Sequence, residues 1–526
     1  MNEGQPGFRI ALFGAPGAGK TTAAQSLSRR NDNVFWIEAS RDLIEAREYA
    51  NLEPFDVRSK RGPEYFARAV ASEGEDWAAQ RALRAAGSFS HLIVTGIRGV
   101  HNLRTLKAAG FFCVFFECRQ AVTIARLVQR EGITPEQALA HLQREQEAFD
   151  HLGVHEESDF VIDTSEMSPF EVEGALFNLC MTASPKHDRL HIGTTCRRCA
   201  NPRSNDSLFT RDADVCDICL NFAEHHAPDT DKGLLAELLA DIGPSGTEKA
   251  ILGFSGGKDS TNVCDFLLGA HARFETFTVD TGYYPLTMLA RARHWAGKKG
   301  LQHLEIDARK FMDASTRESY RLTAEFYQDL RSMPPERALL AYNNSRKLYS
   351  VKHTQPSAFP RVCVLCRKSV IKSYYDAATS RDAKYVILGL NEWANLSCSC
   401  EGSRQFSGFR RIAPDSGSKP VYIVHLPFVL NFSLTKVEAN LAQLGWSLPF
   451  GEDVVESNSN SCLLAKAAEA DFCRYVGFHP DSTRLSREVT VGFLRRGDAI
   501  QALSHISSVP WTVRDTLEYA GILPRD

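Results

Sequence analysis

Nowhere in the 526 residues do about 18 apolar residues run without a charge, so the sequence offers no membrane-spanning helix. The opening MNEGQPGFRI lacks a basic segment leading into an apolar one, and the expectation is a cytoplasmic chain with no membrane partner. Net charge is only -3, which excludes a uniformly basic coat for nucleic acid and leaves any basic surface local. Internal repeats and low-complexity tracts are absent, so the length is not built by repetition. A chain this long exceeds one core, and about three domains are expected.

Cysteine, by contrast, is plentiful. With no signal sequence, the 14 cysteines are not expected to form structural disulfides. Cys113, Cys118, Cys180, Cys264 and Cys473 sit in apolar runs and read as buried small hydrophobes. Seven others fall into spacings that suit metal. Cys196, Cys199, Cys216 and Cys219 form two C-x2-C pairs in a short polar segment, a pattern that brings two knuckle turns around one tetrahedral zinc. Cys363 and Cys366 stand just before a helix, beside Arg361, Arg367 and Lys368, where thiolates are favoured; with Cys462 they are candidate nucleophiles or soft-metal ligands. Cys398 and Cys400 form a C-x-C that reads as bystander thiols.

Two stretches carry phosphate chemistry. Near the start, RIALFGAPGAGKTT places Gly14, Gly17, Gly19, Lys20, Thr21 and Thr22 in a G-x-x-x-x-G-K-[ST] loop between an apolar strand and a helix. Loop amides can cradle phosphates, Lys20 can reach the β and γ oxygens, and Thr21 can ligate magnesium. Strand candidates VFWIEA, HLIVTG, FFCVFFE and DFVIDT alternate with helical patterns, which predicts a parallel α/β sheet over residues 1–182. The second stretch is FSGGKDSTNV, in which Ser255, Gly256, Gly257, Lys258, Asp259 and Ser260 again join a strand to a helix start, where amides and helix dipole converge on an anion. The next strand ends on Asp280, and VILGLNEWAN places Gly389 where a backbone can approach a nucleotide closely.

These motifs carry resemblances. Residues 1–182 resemble small nucleotide kinases of the adenylate kinase and dephospho-CoA kinase type: TGIRG sits where they often carry an Asp-Gly-Ile-Arg turn, and Arg126, Arg130 and Arg144 look like an arginine-bearing lid. The resemblance makes Arg98, Arg126, Arg130 and Arg144 a candidate phosphate clamp, although arginines on a helix face are also commonly solvated. Thr95 replaces the expected acid that would help hold magnesium or a base.

SGGKDS resembles the signature of the PP-loop ATP pyrophosphatases, which release pyrophosphate from ATP and adenylate an oxygen that nitrogen or sulfur then displaces. It implies Lys258 and Ser260 on the phosphates and Asp280 near adenosine or magnesium. The ribbon's Phe209, Asp212, Asp214 and Val215, and the tail around Asp471 to Leu503, resemble the N-acetyl sugar amidotransferases. Cys363, Cys366 and Cys462 resemble the tRNA 2-thiolation enzymes, in which three such cysteines hold an iron–sulfur cluster.

The expected architecture is therefore α/β, with two doubly wound parallel-sheet nucleotide-binding domains. It comprises a kinase-like domain (1–182), a zinc ribbon (190–228), a PP-loop domain (229–430) with a helical insertion at about 311–359, and a mainly helical region (431–526). Residues 331–384 carry eleven Lys or Arg against three acids, which suits a phosphorylated small molecule, a nucleotide sugar or tRNA. The expected cofactors are ATP, Mg2+ and Zn2+, with a [4Fe-4S] cluster if sulfur is transferred. Nitrogen transfer, the leading expectation, calls for a separate glutaminase, since no glutaminase pattern appears; sulfur transfer calls for a sulfur-donor protein. A further alternative is an ATP-gated regulatory or defence protein.

Overall fold

The computed structural model describes residues 7–525 apart from 40–69, 88, 187, 228, 351–354, 399–403, 414–416, 450–452 and 456. Two compact units result: residues 1–185 with 509–511, and residues 186–508 with 512–526.

The first unit is a five-stranded sheet made of β1 (Arg9–Gly14), β2 (Val34–Glu38), β3 (His91–Thr95), β4 (Phe112–Glu117) and β5 (Phe160–Asp163), in the order β2-β3-β1-β4-β5. Every pairing is parallel. Apolar residues run continuously along β1 and β4 because helices cover both faces of the sheet. Helix starts are written in the sequence. Thr134 with Gln137 and Ser168 with Glu171 form capping boxes, each followed by proline in the first turn. Helix Pro169–Ala183 is buried along most of its length, and Trp511 packs edge-on to its Phe177 and stacks on Phe8.

The second unit is built on six strands: β7 (Ala250–Gly253), β8 (Phe274–Asp280), β9 (His303–Asp307), β10 (Tyr385–Leu388), β13 (Phe409–Ile412) and β14 (Val421–His425). Their order is β13-β14-β10-β7-β8-β9. Five strands are parallel, and β13 is antiparallel to β14. This edge departs from the wholly parallel sheet expected, because the few residues between β13 and β14 are too short for a crossover and allow only a hairpin-like return. Both faces are buried by alternation: Leu252, Ile387 and Val424 enter one core, and Ile251, Val386 and Ile423 the other. Small pairs complete the unit, β11 (Asn395–Cys398) with β12 (Arg404–Ser407), and β6 (Asp188–Arg189) with β15 (His505–Ile506).

The ribbon and the C-terminal helices do not stand apart as separate bodies. Ala200 of the ribbon shares a core with Leu434, Leu485 and Phe493, while Trp393 and Val489 pack on the four-cysteine cluster. The ribbon, at residues 190–228, is too short for a core of its own. Among the described residues no helix is long and apolar enough to cross a membrane.

Candidate functional sites

In open α/β sheets ligands bind beyond the carboxyl ends of the strands, where the strand order reverses. Both glycine loops occupy such a position. In the first unit the chain moves outward from β1 on either side, and the loop after β1 lies at that reversal. Gly14, Gly17 and Gly19 adopt φ of +122°, +84° and +94°, and a Cβ on Gly14 would lie 2.2 Å from the carbonyl oxygen of Phe116. Only glycine fits there. Lys20 Nζ donates to the carbonyls of Gly14 and Ala15, both at 2.7 Å. Burial, then the nearby charge of Arg98, pushes its pKa down to about 7. Thr21 and Thr22 open helix Lys20–Arg30 at the loop's end.

The four arginines divide. Arg98 donates to Glu145 at 2.7 Å, and its charge with that of Arg130 bears on Lys20. Arg130 pairs with Glu131. Arg126 spends its guanidinium on the carbonyls of Thr164 (2.8 Å) and Met167 (3.0 Å), so it braces the segment whose Thr164 hydroxyl holds Ala18 rather than standing ready as a clamp. Arg144 lies half-buried on helix Pro135–Ala148. Sequence reasoning missed Glu38. It ends β2 directly opposite Thr95, whose hydroxyl donates to Glu38 at 3.4 Å and accepts from Trp36 at 2.8 Å. A carboxylate thus stands beside position 95 on the neighbouring strand, and the acidic end of VFWIEA was its signal.

In the second unit the reversal falls between β7 and β10. Gly389, following β10, faces the loop after β7: a Cβ there would sit 2.9 Å from Ser260 N and 3.1 Å from Asp259 C. Its close approach is therefore to the loop's own backbone. Gly256 (φ +66°) packs under Arg291, and Gly257 caps helix Lys258–Gly269. Ser255 and Ser260 hydroxyls lie 3.3 Å apart, and Lys258 Nζ is 2.6 Å from Asp259 Oδ2. Asp259 Oδ1 is buried without a hydrogen-bond partner.

A cavity of about 450 Å3 opens here, lined by Ser255, Gly257, Lys258, Asp259, Ser260 and Gly389, and also by Cys363, Cys366 and Cys462. Asp280 is not among its walls. Its carboxylate turns back to accept from Gly282 N at 2.8 Å, and Thr278 and Val279 form the wall instead. Arg291, Trp446, Asn458, Arg484 and Glu488 are additional walls that the motifs did not reveal. Glu488 pairs with Arg484 at 2.7 Å, and burial pushes its pKa up.

The three thiols bear on one another but correct one expectation. Burial pushes Cys363 up to about 12 and raises Cys366 and Cys462, against the pull of Arg361 on Cys363, so the helix start and nearby cations do not by themselves favour thiolates. Lys368 is drawn off to Asp313. Asn458 donates to Cys363 Sγ at 3.3 Å, and Cys462 caps helix Leu463–Val476 by accepting from Ala465 N at 3.4 Å.

Cys196, Cys199, Cys216 and Cys219 form the only group among the described residues whose ligand atoms all lie within 4.8 Å. Sγ separations of 3.9 Å (Cys196–Cys219) and 3.5 Å (Cys199–Cys216) are near the ~3.8 Å that tetrahedral Zn–S bonds would give. Arg496 donates to the carbonyls of Cys196 and Cys199. Of the other cysteines, Cys113, Cys180, Cys264 and Cys473 are buried as expected, whereas Cys118 is half-exposed near Arg126. Cys400 lies outside the described residues.

Residues 10–184 match the family model of an AAA domain. With the loop geometry above, this makes the first unit a P-loop, kinase-like nucleotide-binding domain, which implies ATP and Mg2+. Solved structures similar to the chain include an uncharacterized protein from Eubacterium ventriosum (15% identity, covering 33% of this chain and 97% of that one, TM-score 0.24). Another is shikimate kinase from Bacteroides thetaiotaomicron (17% identity, 30% of this chain and 86% of that one, TM-score 0.22). No curated protein matches the chain.

Proposed function

We propose that the second unit adenylates a substrate oxygen with ATP and that sulfur then replaces that oxygen, in a chain that also carries a kinase-like P-loop domain. One observation carries this reading: the Ser255–Ser260 loop, the Cys363–Cys366 pair and Cys462, from three separate parts of the sequence, line a single cavity. Sulfur is preferred to nitrogen because the thiols face the loop that would hold ATP, whereas the features resembling amidotransferases lie in the ribbon and tail.

The chemistry follows from charge. The substrate oxygen attacks the α-phosphorus, a new P–O bond forms, and the α–β bridge breaks with its electrons leaving on pyrophosphate. Lys258, Arg291 and the N-terminus of helix Lys258–Gly269 are the positive groups available to stabilise that charge. The orphaned oxygen of Asp259 suits a magnesium ion. Hydrosulfide from a donor then forms the C–S bond as AMP departs with the C–O electrons.

Four soft donors at tetrahedral separations fit zinc at the ribbon. Cys363, Cys366 and Cys462 fit a multi-iron cluster better than one ion, since they share a wall without meeting that close spacing. Thiols pushed up by burial need a metal to ionise. A [4Fe-4S] cluster, when bound, supplies an iron with an open position for sulfur. In the first unit Glu38 is the carboxylate available to order magnesium or accept a proton.

The test is pyrophosphate release by the full chain. Lys258→Ala should abolish it and Lys20→Ala should not; release at the parent rate in Lys258→Ala refutes the assignment. Iron and acid-labile sulfide on anaerobically purified protein should vanish in Cys363→Ala and Cys462→Ala. Zinc alone in the parent would return the reading to nitrogen transfer.

A further inference from the structure

A second cavity of about 660 Å3 adjoins the first and shares Cys363, Tyr374, Leu388 and Leu390 with it. Its walls are of another kind. Arg346, Arg361, Arg367, Arg410 and Arg487 face a single carboxylate, Glu392. Glu392 is already matched by Arg487 at 2.8 Å. Among the described residues neither Arg361 nor Arg410 has a carboxylate partner, and Arg361 Nε is buried without any hydrogen bond. Arg367 lies in the cavity wall, exposed to solvent. Burial pushes the pKa of His425, also in the wall, down.

Clustering like-charged guanidiniums is costly unless an anion repays it. Arginine forks match the paired oxygens of a phosphate, and a volume of this size is that of a small-molecule pocket. The arginines come from five segments: helix Pro335–Ser350, the turn at Arg361, the start of helix Arg367–Ser380, β13 and helix Ser482–Thr490. A solvated charged face would lie on one element; here five segments converge on one cavity.

We infer that this cavity is the acceptor subsite, and that the molecule to be modified is a phosphomonoester of nucleotide size or smaller, its phosphate held by Arg361, Arg367 and Arg410 while its reacting end reaches past Cys363 into the ATP cavity. This assignment rests on the adenylation reading for the word acceptor but not for the binding itself. The shared wall at Cys363 sets the order of the parts, with phosphate anchor, cysteines and ATP loop in sequence. A volume of this size suits a small molecule. A kinase-like domain on the same chain belongs to the class of reaction that supplies phosphomonoesters.

The experiment is calorimetric titration of the full chain, with both nucleotide sites held by α,β-methylene-ATP and magnesium. The probes are ribose 5-phosphate, ribose, and a single-stranded RNA about ten nucleotides long. Ribose 5-phosphate should bind and ribose should not. Arg367→Gln and Arg410→Gln should each weaken the phosphate probe at least tenfold, and Arg367→Lys less. Thermal unfolding identifies any variant that has lost its fold, in which case Arg361→Gln replaces it. Equal binding of ribose and ribose 5-phosphate, or parent affinity in the glutamine variants, overturns the inference. RNA binding that is tighter and is lost in the same variants also overturns it. Lys258→Ala separates the two readings, because it should end pyrophosphate release while leaving ribose 5-phosphate binding intact.

Discussion

Lys20 offers a quantitative test of the first unit. Its amine sits under the loop at a pKa of about 7, against 10.5 for an ordinary lysine. Burial and Arg98 disfavour the charged form, whereas ATP phosphates demand it, so nucleotide binding above neutral pH must take up a proton. The sign follows: below about pH 7 the lysine is already charged and affinity is full, and affinity falls as pH rises. If phosphates restore the ordinary pKa, affinity drops about 50-fold between about pH 7 and pH 9, or about 2.3 kcal/mol. Calorimetry with Mg-ATP in a Lys258→Ala background isolates this site, and buffers of different ionisation enthalpy count the protons, about one per ATP at pH 8. Lys20→Arg carries a permanent charge and should flatten the profile. A change under threefold, or the same slope in Lys20→Arg, would refute the reasoning.

Other perturbations probe the second unit. Gly389→Ala drives a methyl onto the backbone of Asp259 and Ser260, so pyrophosphate release should fall at least 100-fold with about 1–3 kcal/mol of stability lost, while ATP binding at Lys20 persists. Cys216→Ser should remove the zinc measured by elemental analysis and lower the unfolding midpoint; full zinc occupancy would contradict the four-thiol site. Glu469 is buried, which raises its pKa, but His479 and Lys186 pull it down to about 2 from 4.5. A depressed carboxylate stabilises above its unfolded pKa, so stability should erode from about pH 4.5 toward pH 2 by about 3 kcal/mol, and Glu469→Gln should remove that slope in acid unfolding curves.

What could be read in advance was whatever lies close together along the chain. Strand, glycine turn and helix occur within twenty residues at Lys20 and again at Lys258, so periodicity and turn chemistry exposed both. The Cys196–Cys219 group was legible for the same reason. Glu38 was not, because its meaning comes from lying opposite Thr95 across a strand pair. Glu488 and Arg484 were hidden more deeply, since only folding brings a C-terminal helix to a loop over two hundred residues earlier. Electrostatics misled at Cys363: the neighbouring cations promised a thiolate, and burial outweighed them. Asp280 ended the right strand but turned into its own loop.

Trp511, seated on Phe8 and Phe177, sets a timetable for synthesis. A ribosome completes residues 1–185 long before 509–511 exist, and at 5–20 residues per second the gap is on the order of tens of seconds. During that interval the aromatic faces of Phe8 and Phe177 lack their partner, and the early part of the chain waits in an unfinished state. A fragment ending at residue 185 would keep that state permanently, so dissecting the kinase-like domain for study calls for a graft of the Val509–Trp511 segment rather than a simple cut.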